Sequence, residues 1–239
     1  MKKGLKKGLK ILATVMLLVT ALAVTAGLIF GVKGYFLYRQ AFDETPLSEK
    51  VEEIRQQDHF VSFEELPDLY VQAVIAVEDK RFYSHNGVDF LAIGRALWND
   101  LTSLSLAEGG STITQQLMKN QYFTQEKKLE RKFAEIYAAW ELESYCRKQE
   151  ILELYVNTIY FGSGYYGIYE AAMGYYGKEP SELTDQEAVM LAGLPNAPSA
   201  YALDTNPELA RQRMDQVLDS MVECGALSRE EAGRLAADA

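Results

Sequence analysis

Twenty-two consecutive residues, Ile11 to Val32, carry no charged side chain. As a helix rising about 1.5 Å per residue, such a run spans roughly 33 Å, enough to cross a hydrocarbon core of about 30 Å. Five lysines precede it (Lys2, Lys3, Lys6, Lys7 and Lys10), a bias that holds an N-terminus on the cytoplasmic side. Tyr35, Phe36 and Tyr38, with Arg39, suit the opposite interface, so the rest of the chain is expected outside the cytoplasmic membrane. Ala21-Leu22-Ala23 resembles a signal-peptidase site, but the apolar run exceeds the roughly 7–15 residues of a signal core. A retained single-pass anchor is therefore expected.

The 239 residues suit one membrane segment plus one compact domain. The boundaries read as a basic cytoplasmic N-terminus (1–10), a transmembrane helix (11–32), a polar connector (33–60) and an outer domain (61–239). Residues 1–33 hold six lysines and no acid, leaving 18 bases against 34 acids in the remainder. A domain so acidic repels a nucleic-acid backbone, and no nucleic-acid partner is expected. Cys146 and Cys224 could form one bridge in an oxidising space, but they make no disulfide framework. His59 and His85 lack the spacing of a zinc site.

Beyond residue 60 the chain reads as helix after helix. Val71, Val74, Ile75 and Glu78 share one face of a helix over 66–77, and Ala73, Ala76 and Val77 make its other side apolar too, so it should be buried. A long helical stretch from Glu126 to Ile159 has an apolar face of Leu129, Phe133, Ile136, Tyr137 and Trp140, with a break near Ser144–Arg147. Thr184-x-x-Glu187 and Ser228-x-x-Glu231 are capping boxes, and Asn206-Pro207 opens a helix that Gly225 closes. Glycine-rich loops fall at 109–110 and 162–167. Strands with period-2 alternation are scarce, so the outer domain is expected to be mainly α.

Four segments hold more polar function than a packed helical core needs. The first runs from Glu78 to Asp89. Glu78 continues an apolar stripe, so its carboxylate should be partly desolvated and more basic, as a proton acceptor requires. Equally, it could be a helix-end acid paired with Lys80 or Arg81. The second, Gly109 to Asn120, gathers hydroxyls, carboxamides and an ammonium behind two glycines, groups suited to sugar hydroxyls and phosphate oxygens. On these residues alone the plainer reading, a loop entering a polar-faced helix, is favoured. In the third, Arg131 and Glu135 lie four apart on one helix face, in the less stabilising order for a purely structural pair, although a solvated charged face remains the default reading. The fourth, Glu150 to Gly167, sets tyrosines among glycines, which either stack on sugar rings or pack a loop onto the core.

Together these segments resemble, in order and spacing, the peptidoglycan glycosyltransferase family, the transglycosylase domain of class A penicillin-binding proteins and its monofunctional relatives. The pattern Glu-Asp-x-x-Phe-x-x-His-x-Gly-x-Asp is met by Glu78, Asp79, Phe82, His85, Gly87 and Asp89. Gly-Gly-Ser-Thr-Ile-Thr-Gln-Gln-Leu-x-Lys-Asn is met in full from Gly109 to Asn120. Arg131, Lys132 and Glu135 meet the third motif, and Ile151 to Asn157 the fourth. In the last motif the family's paired arginine is replaced by Arg213-Met214. The likeness covers roughly residues 60–225, and with no room after it for a transpeptidase domain, the monofunctional form is expected.

The resemblance implies a lysozyme-like helical domain with a membrane-associated lobe, acting on lipid II and the nascent glycan strand at the bilayer, alongside other cell-wall synthesis proteins. It implies Glu78 as the base that activates the acceptor sugar's 4-hydroxyl, with Glu135 as the second catalytic carboxylate. Substrate would be held by Asp79, His85, Ser111, Thr112, Gln116, Lys119, Asn120, Arg131 and Lys132, with Asp79 and His85 bracing the Glu78 loop. Glu135 would either stabilise positive charge at the anomeric centre or contact a divalent cation (Mg or Mn); no metal site is otherwise expected. A glycan-cleaving lytic transglycosylase and a catalytically silent cell-wall scaffold are the alternatives.

Overall fold

The computed structural model describes residues 2–103, 110–124 and 128–237, so Gly109 of the second motif and Glu126, the expected helix start, lie outside the described residues. The described chain is helical, with no strand and a single isolated bridge, Tyr160 to Tyr166. The elements are α1 (Lys2–Glu44), α2 (Leu47–Arg55), α3 (Asp68–Glu78), α4 (Phe90–Ser103), α5 (Ile113–Tyr122) and α6 (Leu129–Tyr145). They continue with α7 (Lys148–Val156), α8 (Ile168–Tyr176), α9 (Asp185–Gly193), α10 (Pro198–Tyr201), α11 (Pro207–Glu223) and α12 (Arg229–Ala237). The mainly α reading of the sequence holds.

The uncharged run lies inside α1, one helix long and apolar enough to cross a membrane by length and composition. Leu17, Leu22 and Leu28 stand exposed on it with nothing packed against them. The connector expected over 33–60 is instead mostly helix. α1 runs on to Glu44 and buries Tyr38 and Phe42, and α2 buries Leu47, Val51 and Ile54. These apolar residues recur at i, i+4 and i+7 inside a charged stretch, so burying them on the domain outweighs the local polarity. Tyr38 thus turns into the protein, whereas Tyr35 and Phe36 remain exposed.

The apolar stripe of α6 has an equally specific destination. Leu129 and Trp140 are exposed, and the face of α6 in the core is Ala134, Ala138, Ala139 and Leu142. Phe133 and Tyr137 meet α1, where Tyr35 sits edge-on to Tyr137 at 5.6 Å. Gly34 makes this contact: a Cβ there would lie 2.7 Å from the Glu130 carbonyl oxygen and 2.9 Å from the Ala134 nitrogen. No side chain fits without pushing the two helices apart.

At the centre, α3 packs on α9 and α11, with Ala73 and Ala76 of α3 and Ala188 and Ala192 of α9 buried, and Gly193 of α9 set against Arg213 and Val217 of α11. Small residues let the axes approach. Both sequence-read capping boxes form: Thr184 Oγ1 accepts from Glu187 N–H at 3.3 Å, and Ser228 Oγ accepts from Glu231 N–H at 3.2 Å. The break between α6 and α7 falls at Cys146, as the sequence suggests. Cys146 is buried, Cys224 is exposed, and both are free thiols.

Candidate active site

Glu78 is the last residue of α3, two turns beyond the buried Tyr70 and one beyond Val74. It borders a cleft of about 500 Å³ between α3, α4 and α11, lined also by Ser111, Thr112, Arg95 and Arg213. The sequence left open a pairing with Lys80 or Arg81, and the fold removes both candidates. Lys80 Nζ donates to Glu223 Oε2 at 2.6 Å, and Arg81 Nε donates to Asp89 Oδ2 at 2.8 Å.

What Glu78 receives is one neutral hydrogen bond, from Gln116 Nε2 to Oε2 at 2.7 Å. The Tyr155 hydroxyl donates to Gln116 Oε1 at 3.3 Å and so fixes which end of the amide faces the acid. Oε1 of Glu78 is shielded from solvent and takes no hydrogen bond among the described residues. Burial raises the Glu78 carboxyl above the ordinary glutamate range, opposed by the Gln116 hydrogen bond and by the charges of Arg213 and Lys119.

Around it the first two motifs are laced together. His85 Nε2 bonds both oxygens of Asp79 at 3.0 Å, and Asp79 Oδ2 accepts from the Ile113 N–H at 3.1 Å. Asp79 thereby satisfies an orphan donor at the start of α5. Thr112 caps the same helix, accepting from the Gln115 N–H at 3.1 Å and donating its hydroxyl proton to the Gly87 carbonyl at 2.6 Å. Gly87 sits at φ +78° with an added Cβ only 3.0 Å from Ala139 backbone atoms, a place only glycine suits. Asp89 Oδ1 accepts from the N–H groups of Leu91 and Ala92, capping α4. Burial alone would raise its pKa, but these bonds and Arg81 hold it below the usual aspartate range. Asp79, His85, Thr112 and Asp89 are thus supports for the Glu78 loop.

The third motif forms a separate cluster. Glu135 is buried, with Lys132 Nζ at 2.9 Å from Oε2 and Arg131 Nε at 3.4 Å from Oε1. Lys132 also donates to Ser111 Oγ at 2.8 Å, and Arg131 Nη1 to the Thr124 carbonyl at 3.1 Å. Lys119, half-buried on α5, feels the charges of both Glu78 and Glu135 and so links the two halves of the site. Desolvation lowers its pKa from the ordinary lysine value, against the pull of Glu135. The fold therefore gathers Ser111, Gln116, Lys119, Arg131, Lys132 and both glutamates. Asn120 is exposed at the end of α5, and among the described residues no contact joins its side chain to them.

Residues outside the sequence-read set also take part. Arg213 reaches the cleft while Met214 is buried in the core, so the position of the family's second arginine faces inward here. Its Nε donates to the Gly193 carbonyl at 3.2 Å, which holds its charge toward Glu78. Beneath the loop, Glu143 Oε1 accepts from Thr114 Oγ1 and Lys148 Nζ, both at 2.7 Å, and Lys148 lies 4.5 Å from the Phe82 ring centroid. Nothing local in the sequence distinguishes Glu143 from a solvated helix acid. Among the described residues no three His, Cys, Asp or Glu side chains gather as a metal cage. Glu135 is a lone carboxylate held between two cations, and it does not fit a resident protein-only metal site.

The sequence profile of the transglycosylase family matches residues 44–222. A Cupriavidus necator protein named as a transglycosylase is 41% identical over 188 residues, covering 79% of this chain and 81% of that protein. Penicillin-binding protein 1F of Bacillus subtilis is 44% identical over 172 residues, 72% of this chain and 24% of that one. Penicillin-binding protein 1A of Neisseria lactamica is 46% identical over 168 residues, 70% of this chain and 21% of that one. The chain thus spans a quarter or less of these two penicillin-binding relatives. Matched over most of its length, the chain belongs to the transglycosylase family, as a protein carrying the transglycosylase domain of class A penicillin-binding proteins.

Proposed function

We propose that the protein polymerises lipid II into β-1,4-linked peptidoglycan glycan. The observation that carries this reading is Glu78: a shielded carboxylate oxygen without a partner, made more basic by burial, beside a cluster of cations. Glu78 takes the proton of the acceptor sugar's 4-hydroxyl as that oxygen bonds to the donor's anomeric carbon. The bond from that carbon to the undecaprenyl pyrophosphate breaks, its electron pair leaves with the pyrophosphate, and the centre inverts. Lys119, Arg131 and Lys132 receive the negative charge of the leaving group, and Ser111 and Gln116 orient the reactants. Glu135 spaces Arg131 and Lys132, whose like charges would otherwise repel. A divalent cation, magnesium or manganese, would come with the pyrophosphate rather than reside in the protein, taking Glu135 as its one protein ligand and supplying further charge neutralisation.

Placement at the cytoplasmic membrane fits this substrate. α1 would span the bilayer once with its lysines inside and the catalytic domain outside. Phe90, Leu91 and Trp98 stand exposed on α4, an apolar set suited to a bilayer surface. Substrate and enzyme are then confined to the same leaflet, alongside the nascent strand and other wall-synthesis proteins. The test is incubation of the full chain with lipid II and, separately, with finished glycan. Polymer from lipid II supports the reading. Cleavage of glycan without polymerisation makes the protein lytic, and inertness toward both by folded protein makes it a scaffold.

A further inference from the structure

The tyrosine-rich turn after α7 takes no part in the Glu78 cleft, yet it borders a second cavity of about 480 Å³. Gln121 lines this cavity from α5. It lies five residues beyond Gln116, so it points roughly 140° away around the helix and faces a different side from Glu78. The volume falls within the roughly 300–1,000 Å³ of small-ligand sites.

Two features show that the wall is built rather than incidental. His59 holds φ +64°, in the left-handed region that non-glycine residues rarely adopt. It is kept there by stacking on Tyr169, with ring centroids 4.2 Å apart and planes within 4°, and by Asn157, which bonds both the N–H and the carbonyl of Val61 at 2.9 and 2.8 Å. Tyr166, which also lines the cavity, leaves 62% of its surface exposed while its ring is backed by Tyr160 at 4.7 Å. A flat aromatic face is presented to the cavity at little conformational cost.

The remaining groups define the ligand. Glu170 Oε2 accepts from the Tyr166 N–H at 3.1 Å, which leaves Oε1 to accept from a ligand. The side chains of Asp58 and Gln121 have no partner among the described residues. No lysine or arginine lines the cavity among the described residues, so two carboxylates would repel phosphate or a carboxylate ligand. An apolar ligand would strip water from these acids and amides without replacing their hydrogen bonds. What satisfies both an open aromatic face and a ring of acceptors and carboxamides is a neutral polyol with a flat apolar side, that is, a pyranose.

We propose that this cavity is a second saccharide site, separate from the Glu78 cleft, that holds a short neutral stretch of β-1,4-linked N-acetylated amino sugar. One ring stacks on Tyr166, and its hydroxyls donate to Asp58 and Glu170 and pair with Gln121. The identity of the sugar rests on the proposed glycan chemistry; the existence of the site does not.

The experiment titrates the full chain in detergent micelles with chitotetraose, followed by saturation-transfer difference NMR, with circular dichroism to confirm folding. Wild type and Glu78→Gln should bind equally. Tyr166→Ala should weaken binding about tenfold through loss of the stacked ring, and Tyr166→Phe should retain it. Absence of binding to wild type overturns the proposal. So does a loss caused by Glu78→Gln with none from Tyr166→Ala, which would place the sugar in the cleft, or displacement of the sugar by 1,5-diaminopentane, which would make the cavity a cation site. The titration needs no turnover, so an inactive enzyme that binds leaves this site standing, and an active enzyme that binds nothing removes it.

Discussion

Two glutamates anchor the two halves of this site, and the fold treats them in opposite ways. Glu135 is locked between Arg131 and Lys132, 3.4 and 2.9 Å away. Both acids keep a shielded Oε1 without a hydrogen bond among the described residues, but that of Glu135 faces the Arg131 guanidinium, whereas Glu78 has no ion pair there and a single neutral donor on its other oxygen. An acid set between two cations holds them in place, whereas one left nearly alone in a desolvated place gains affinity for a proton. Under the proposed mechanism the contrast separates two roles that sequence spacing alone leaves merged: holding positive charge in place for a leaving group, and accepting a proton.

The largest effects should come from neutralising each acid in turn. Glu78→Gln is expected to lower lipid II turnover by about 10³-fold or more in a polymerisation assay. The same change should raise thermal stability. Because the folded-state pKa of Glu78 lies above its unfolded value, its ionised form costs stability, and that cost appears as pH rises through the folded value. At neutral pH the substitution removes it, and the melting temperature should climb. Glu135→Gln should do the reverse, because two cations lose the anion between them; breaking such a pair costs about 3–5 kcal/mol, a fall of roughly 6–20 °C. If both variants melted in the same direction, the contrast between the two acids would collapse.

Lys119 stands between the acids, and its removal should be intermediate. Lys119→Ala is expected to lower kcat/KM for lipid II about 10²-fold, as loss of one charge-stabilising donor commonly does. Because desolvation lowers its pKa, the alkaline limb of the wild-type rate profile should begin below the ordinary lysine range, and it should be absent from the variant. A smaller effect is expected at Gly34, remote from both acids. Gly34→Leu would force α1 from α6 at the cost of about 1–3 kcal/mol and shift the helix that carries Arg131, Lys132 and Glu135. A several-fold fall in kcat, with the acid limb of the rate profile unmoved, would place the damage on the Glu135 half alone.

The helical class, the caps of α9, α11 and α12, and the break at Cys146 were legible because each depends on residues close in sequence. The motifs likewise marked Glu78, Lys119 and Arg131. The destination of an apolar face was not legible, since periodicity does not say what covers it. Phe133 and Tyr137 looked like core and meet the anchor helix instead, while Tyr38 and Phe42 looked like connector and are buried. Charge pairing was hidden for the same reason. Lys80 is two residues from Glu78 but bonds Glu223, 143 residues away, and that long-range choice is what leaves Glu78 free.

The central claim is that the free Glu78 carboxylate is the base, and the pH dependence of kcat/KM for lipid II tests it most directly. A base works only when deprotonated, so the rate should fall as pH drops through a pKa above the ordinary glutamate range. Gln116→Leu removes the one hydrogen bond that favours the ionised form, so the acid limb of this variant should move to still higher pH. An acid limb in the ordinary carboxylate range, or one that Gln116→Leu leaves unmoved, would contradict the assignment.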